Sequence, residues 1–342
     1  MTAPVTTPHC SFEKLGSAEL ESDETPLGVI GHGTGHTGVS LTNGHPRTTV
    51  HTTTREDESF AEVWRAEKPE ESGSHADVAW ARTADYLFGV ARVPEGDRYA
   101  AGVSAVYTGI FDLTRELGYP TLARTWNYVS GINTPNADGL EVYRDFCVGR
   151  AEALDARGID PATMPAATGI GAHSGGITCY FIAARAGDRI NVENPAVLTA
   201  HRYPRHYGPR PPVFARATWL SPPGPGHGRL FISATAGILG HETVRPGEVA
   251  GQCEVALENI ARVISAENLR RHGLPRGHTL ADVDHLKVYV RHREDIPTVR
   301  RICAGRFSRE ATFAVLHTDI ARTDLLVEIE GVVAARTWRD HQ

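Results

Sequence analysis

The amino-acid sequence predicts an α+β protein made of two tandem halves, each a mixed β-sheet with two helices packed on one face. Three observations carry this. The order strand, helix, strand, helix, strand, strand that begins at Tyr86 recurs from Leu230, and a repeat whose period is on the order of a hundred residues or more means duplicated domains, not a solenoid. The stretch Val249 to Glu267 gathers Val249, Cys253, Ala256, Leu257, Ile260, Val263 and Ile264 into one apolar stripe, with Glu254, Glu258 and Arg262 elsewhere. Such a helix must cover something apolar. Finally, 342 residues are long for one compact unit of roughly 150 residues.

Residues 1–80 are rich in Gly, Thr and Glu, with short β-prone runs such as Arg47 to Thr54, and read as an irregular extension of loops and edge strands. The apolar run Tyr86 to Val93 is a strand. Val103, Val106, Tyr107, Ile110, Leu113 and Leu117 recur at helical spacing, and Gly118 stops that helix. A strand Ala123 to Val129 follows, then a helix Leu140 to Ala156 ended by Gly158, then strands Ala167 to His173 and Ile177 to Ala183. Beyond a Pro-rich bridge, Tyr203 to Pro212, come a strand Leu230 to Ile238, the striped helix, a strand His285 to Arg291, a helix Ile296 to Phe307, and strands Thr312 to Thr318 and Leu325 to Val333. The expected division is 1–200, an N-terminal half with its extension, and 201–342, a C-terminal half that includes the bridge.

Hydrophobic residues are 41% and charged residues 22% of the chain, the proportions of an ordinary globular protein. A net charge of -6 without any Lys/Arg run argues against nucleic acid as a partner. No apolar stretch approaches the ~20 residues that span a bilayer, and Met1 to Asp23 has neither a basic start nor an apolar core, so a cytoplasmic protein without membrane association is expected. Five cysteines, Cys10, Cys147, Cys179, Cys253 and Cys303, show no CxxC spacing and read as reduced buried thiols. Among seventeen histidines there is no HExxH, and His201 and His206 sit in the Pro-rich loop, so no metal site is expected. "HGTGHTG" precedes a β-prone stretch, not a helix, and implies no nucleotide; no cofactor is expected.

Two stretches, "GHETVRPGEVAGQCEVALENIARVI" and "DLLVEIEGVV", resemble the YjgF/RidA-like fold. Four others, "WNYVSGIN" (126–133), "LEVYRDFCVGR" (140–150), "PAATGIG" (165–171) and "RYPRHYGPRPPVFARAT" (202–218), resemble the chorismatase family, and the likeness covers most of the chain after about residue 85. The resemblance implies an enzyme that splits the enolpyruvyl ether of chorismate into pyruvate and a cyclic carboxylic acid, with chorismate as its small-molecule partner. It implies a monomer or a homotrimer.

Chorismate carries two carboxylates, which an Arg fork meets bidentately. Candidates are Arg144 and Arg150 within "YRDFCVGR", and Arg205, Arg210 and Arg216, which flank Tyr203 and Tyr207. Pro204, Pro209, Pro211 and Pro212 restrict φ in that segment and lower the entropy lost on fixing its side chains. Glu328 and Glu330 alternate with Val327 and Ile329, so both carboxylates leave one face of a strand. The resemblance points to Glu328 as the catalytic one: an enol ether is protonated at its terminal carbon, which requires a carboxylic acid kept neutral by burial or by a neighbouring carboxylate. Ala234 in "FISATAG" and Ala321 in "DIARTDLL" stand where the branch forming 3-hydroxybenzoate tends to carry Gly and Cys. By resemblance they favour the hydrolytic branch, whose product, 3,4-dihydroxycyclohexa-1,5-diene carboxylate, primes polyketides of the ascomycin and rapamycin class. The alternatives are formation of 3-hydroxybenzoate, or a RidA-like imine or enamine deaminase.

Overall fold

The structure, a computed structural model, describes residues 5–15, 26–187, 189–222 and 226–334. The expectation of no export signal in Met1 to Asp23 falls on a stretch of which residues 1–4 and 16–23 lie outside the described ones.

Among the described residues, three sheets of five or six strands form the body of the protein, alongside two two-stranded pairings, Val5–Thr6 with Gly226–His227 and Ile238–Leu239 with Glu242–Thr243. The first is five-stranded and formed by β1 (His9–Lys14), β2 (Gly28–Gly33), β3 (Ser40–Thr42), β4 (His45–His51) and β5 (Phe60–Arg65), in the order β1-β5-β2-β4-β3. The second takes β6 (Glu71–His75), β7 (Val78–Arg82), β8 (Tyr86–Val93), β9 (Thr121–Ser130), β10 (Ala166–Ala172) and β11 (Ile177–Ala184), in the order β10-β9-β11-β8-β7-β6. Helices α1 (Ala100–Glu116) and α2 (Val142–Arg157) belong to it. The third takes β12 (Arg189–Val192), β13 (Ala217–Leu220), β14 (Arg229–Ala236), β15 (Val283–Val290), β16 (Thr312–His317) and β17 (Val327–Ala334), ordered β16-β15-β17-β14-β13-β12, with helices α3 (Val249–Ile264), α4 (Ala266–Arg271) and α5 (Ile296–Ala304).

The second and third sheets have one topology. In each, one parallel pair (β9 with β10, β15 with β16) sits beside an antiparallel pair (β9 with β11, β15 with β17). The two tandem α+β halves expected from the repeat are therefore present. Period-two alternation explains why both sheets are buried on two faces. In β8, Leu87, Ala91 and Val93 pack with Val103, Tyr107, Ile110 and Leu113 of α1, whereas Tyr86, Phe88 and Val90 join a cluster on the far face that includes Trp64, Phe231 and Tyr289 from the other two sheets. In β17, Val327 and Ile329 pack with Cys253, Leu257 and Ile260 of α3, which sends Glu328 and Glu330 to the face turned toward the first half. Gly158, at φ 63°, closes α2 in the left-handed conformation that favours glycine.

Four expectations are corrected. The extension is not loops and edge strands: it contains a complete sheet, with Ile30, Ala61 and Val63 wholly buried and with buried polar side chains that include His32 and Glu62. The sheet changes between Ala184 and Arg189, ahead of the division expected at residue 200. The Pro-rich segment is not a bridge between halves but a long insertion between the antiparallel pair β12 and β13, both in the third sheet. The striped helix ends at Ile264, where Ser265 turns extended and its hydroxyl caps α4 by accepting from the Asn268 N–H.

Candidate active site

At the junction of the two halves lies a cavity of about 360 Å³. One wall comes from α2, through Tyr143, Arg144 and Cys147. The facing wall belongs to the second half: Ala234 and Ala236 on β14, Glu328 on β17, the 321–325 loop, and the Pro-rich strap with Tyr203, Tyr207, Arg210 and Arg216. Since β17 is flanked by β14 and β15, Glu328 lies in the middle of the sheet and not on a solvated edge.

Glu328 is 8% exposed and, among the described residues, makes no hydrogen bond or ion pair. Burial pushes its carboxyl up to about 8; Arg216, Arg291 and Arg322 pull it back, and Glu330 adds to the rise. The acid is thus predominantly protonated at neutral pH. Glu330, two residues on, is fully engaged: Arg124 Nη2 and Trp126 Nε1 each donate to it at 2.9 Å, Thr168 donates as well, and Lys287 Nζ lies 2.9 Å away.

The guanidinium groups are held by oxygen acceptors. Arg216 is buried; its Nη2 donates to the Leu198 carbonyl at 2.8 Å and to the Tyr203 hydroxyl at 3.0 Å, while its Nε has no partner. Arg322 donates to the His241 carbonyl at 2.9 Å and to Thr243, and lies 4.7 Å from the ring centroid of Tyr207. Its φ of 74° is a left-handed conformation costly for a side-chain-bearing residue. Arg144 donates to Glu141 at 3.0 Å, and Arg210 to Asp155 at 2.7 Å, the latter tying the strap to α2. Tyr207 closes the other end of the strap by donating to the His241 carbonyl at 2.7 Å.

Eight of the ten site residues expected from sequence meet on the cavity wall: Arg144, Tyr203, Tyr207, Arg210, Arg216, Ala234, Ala321 and Glu328. Two do not. Arg205 is exposed on the outside of the strap. Arg150 is on the same helical stripe as Tyr143 and Cys147 but one turn further along, which carries it past the cavity into the core of the first half. There it stacks 5.0 Å from the Tyr107 ring centroid, with Nε and Nη2 unpartnered. Sequence reasoning missed Arg322, Tyr143 and Cys147. Arg322 follows Ala321 inside a quoted stretch, and Tyr143 and Cys147 share the stripe with Arg150, so spacing alone would have found the last two. The Cys147 thiol is pushed up to about 12 by burial and is no thiolate. No group of three or more His, Cys, Asp or Glu among the described residues is placed to hold a metal ion.

The cavity thus brings a buried carboxylic acid together with several guanidinium groups. Residues 62–183 match the family described as chorismatase FkbO/Hyg5-like, N-terminal. A chorismatase of Streptomyces rapamycinicus is 84% identical over 98% of this chain and 100% of its own length. The chain belongs to the chorismatase family. A second member, from Streptomyces hygroscopicus, is 73% identical over 98% of this chain and 96% of that one. A 3-hydroxybenzoate synthase of Streptomyces hygroscopicus is 44% identical over 90% of this chain and 91% of its own. The crystal structure of a chorismatase at 1.08 Å superposes with a TM-score of 0.95 at 73% identity, covering 97% of this chain and 100% of that one. No helix among the described residues is long and apolar enough to cross a membrane.

Proposed function

We propose that this chorismatase hydrolyses the enolpyruvyl ether of chorismate to pyruvate and 3,4-dihydroxycyclohexa-1,5-diene carboxylate, with Glu328 as the acid. The observation that carries the reading is the unpaired, buried Glu328 carboxyl on the wall of a cavity that also presents Arg144, Arg210, Arg216 and Arg322. The guanidinium groups clamp the two carboxylates, aided by Tyr203 and Tyr207. Glu328 gives its proton to the terminal methylene, and the enol ether becomes an oxocarbenium ion. The resulting carboxylate takes a proton from water as the water oxygen attacks that cation. The hemiketal so formed collapses to pyruvate and the ring alcohol, and Glu328 is again the neutral acid.

Ala234 and Ala321 both border the cavity, which favours hydrolysis over 3-hydroxybenzoate formation. Neither supplies a thiol, and the nearby Cys147 is held protonated, so no thiolate on the wall competes with water for the cation. An imine deaminase handles a smaller anion and has no use for four arginines. Incubation with chorismate and mass analysis of the ring product tests the reading: a product heavier than hydroxybenzoate by one water is expected, and hydroxybenzoate itself overturns it.

A further inference from the structure

The three sheets meet at a buried chain of charge that the reaction does not use directly. From the N-terminal sheet, Glu62 on β5 accepts from Lys287 Nζ at 2.8 Å and from the Tyr180 hydroxyl and Trp64 indole at 2.9 Å each, and its Oε2 lies 3.2 Å from His32 Nε2. Lys287, on β15, also pairs with Glu330, which holds Arg124 of the first half. Glu62, Lys287, Glu330 and Arg124 are each at most 4% exposed. Two anions and two cations balance, because burial keeps His32 below its ordinary range and hence neutral, against the opposing pull of Glu62. Burial also works against charge on Lys287 and Glu62, yet for Lys287 the two glutamates prevail and its ammonium is held well above the usual range. For Glu62, Lys287 and then His32 prevail and its carboxyl falls to about 2.

This chain ends beside the reacting acid. Glu330 and Glu328 leave the same face of β17, and across the ladder Lys287 lies opposite Glu330 while Tyr289 lies opposite Glu328. The other charged groups that bear on Glu328 are Arg216, Arg291 and Arg322, and Tyr143 faces it from α2. We propose that Lys287 and Glu62 are positioning residues for the reaction: an ion pair joining the N-terminal sheet to β15, whose balance of charge contributes, through Glu330, to the electrostatic field at Glu328. The inference rests on Glu328 being the acid. It gives the N-terminal sheet a part in the chemistry although none of its side chains reaches the cavity wall.

The test is the alkaline limb of the pH profile of kcat/KM for chorismate. Glu62→Gln leaves the Lys287 charge in excess, which favours the Glu328 carboxylate, so the limb moves to lower pH. Lys287→Met leaves an excess anion, and the limb moves to higher pH. A charge ~10 Å away acting through an effective dielectric of ~20 shifts it by about one pH unit. The charge-neutral double variant Glu62→Gln/Lys287→Met brings the limb back toward the parent position, a pattern that loss of packing alone does not produce. Should Lys287→Met fail to fold, Glu62→Gln and the double variant still decide. Singles that shift the limb in one common direction, or leave it in place, overturn the inference while Glu328→Gln remains inactive and the acid assignment stands. An active Glu328→Gln overturns both.

Discussion

Glu328 and Glu330 stand two residues apart on one face of β17, and only Glu330 is paired. Both are at most 8% exposed, so solvent does not account for the difference. Glu330 points at the meeting place of three sheets, where Arg124, Lys287, Trp126 and Thr168 surround it. Glu328 points at a cavity whose cations already have oxygen partners. One strand thus carries an anchored carboxylate and a carboxyl left free to act, and burial favours the neutral form of the free one.

Glu328→Gln keeps the shape of the acid and removes its proton, so it should lower kcat by at least the ~10²–10⁴-fold that a positioned general acid contributes. Chorismate affinity, measured by calorimetry, should stay within a few-fold. In the parent enzyme the acid must be protonated, and its carboxyl lies at about 8. kcat/KM should therefore be flat below that pH and fall tenfold per unit above it. A flat profile through pH 9.5 contradicts the assignment.

Arg216 is the most deeply buried guanidinium of the cavity wall, and its unpartnered Nε marks it as a site for an incoming carboxylate. Arg216→Gln should raise KM by roughly 10–100-fold, the loss of a charge-assisted hydrogen bond of ~1.5–3 kcal/mol, with a smaller change in kcat. Arg216→Lys should recover little, because a point charge cannot hold Leu198 and Tyr203 while meeting a carboxylate with a second edge. Steady-state kinetics on both variants decide it.

Legibility in the sequence followed locality. The strands from β8 onward, except β12 and β13, and all the long helices declare themselves by period-two and helical spacing, since their burial is one-sided or uniformly apolar. The N-terminal sheet does not: β2 reads Gly-Val-Ile-Gly-His-Gly, and β5 buries Glu62. Such residues look like loop until the charge partner more than two hundred positions away is known. The same limit governs the site. Glu328 and the arginines of the strap were readable as residue types at the right spacing, but whether Arg150 or Arg322 faces the cavity depends on how one helix turn and one loop meet across the junction of the halves. No spacing encodes that.

Gly149 lets α2 approach α1. A Cβ built there would stand 2.1 Å from the Ala100 carbonyl oxygen, a backbone atom at the first residue of α1. Gly149→Ala must push the two helices apart, and overpacking of this kind costs ~1–3 kcal/mol. Because α2 carries Tyr143, Arg144 and Cys147 on the cavity wall, the same shift should raise KM. The melting temperature should drop by a few degrees, and an unchanged melting temperature and KM would show that the helices do not need this approach.

Glu193 offers a separate test of what burial does to a carboxyl. It sits behind the strap with Oε2 unpartnered, and burial pushes it up to about 7 against the opposing pull of Arg216. A carboxyl raised in the folded state binds its proton more tightly there than in the unfolded chain. Its contribution to stability is full below about 4.5, the ordinary value, and is lost as pH rises through about 7. Glu193→Gln mimics the protonated form at every pH. The variant should therefore match the parent in thermal unfolding at pH 5 and exceed it at pH 8.5, by up to ~3 kcal/mol at 1.36 kcal/mol per unit. Equal stability of the two proteins at pH 8.5 would mean that water or Arg216 compensates the buried anion in full.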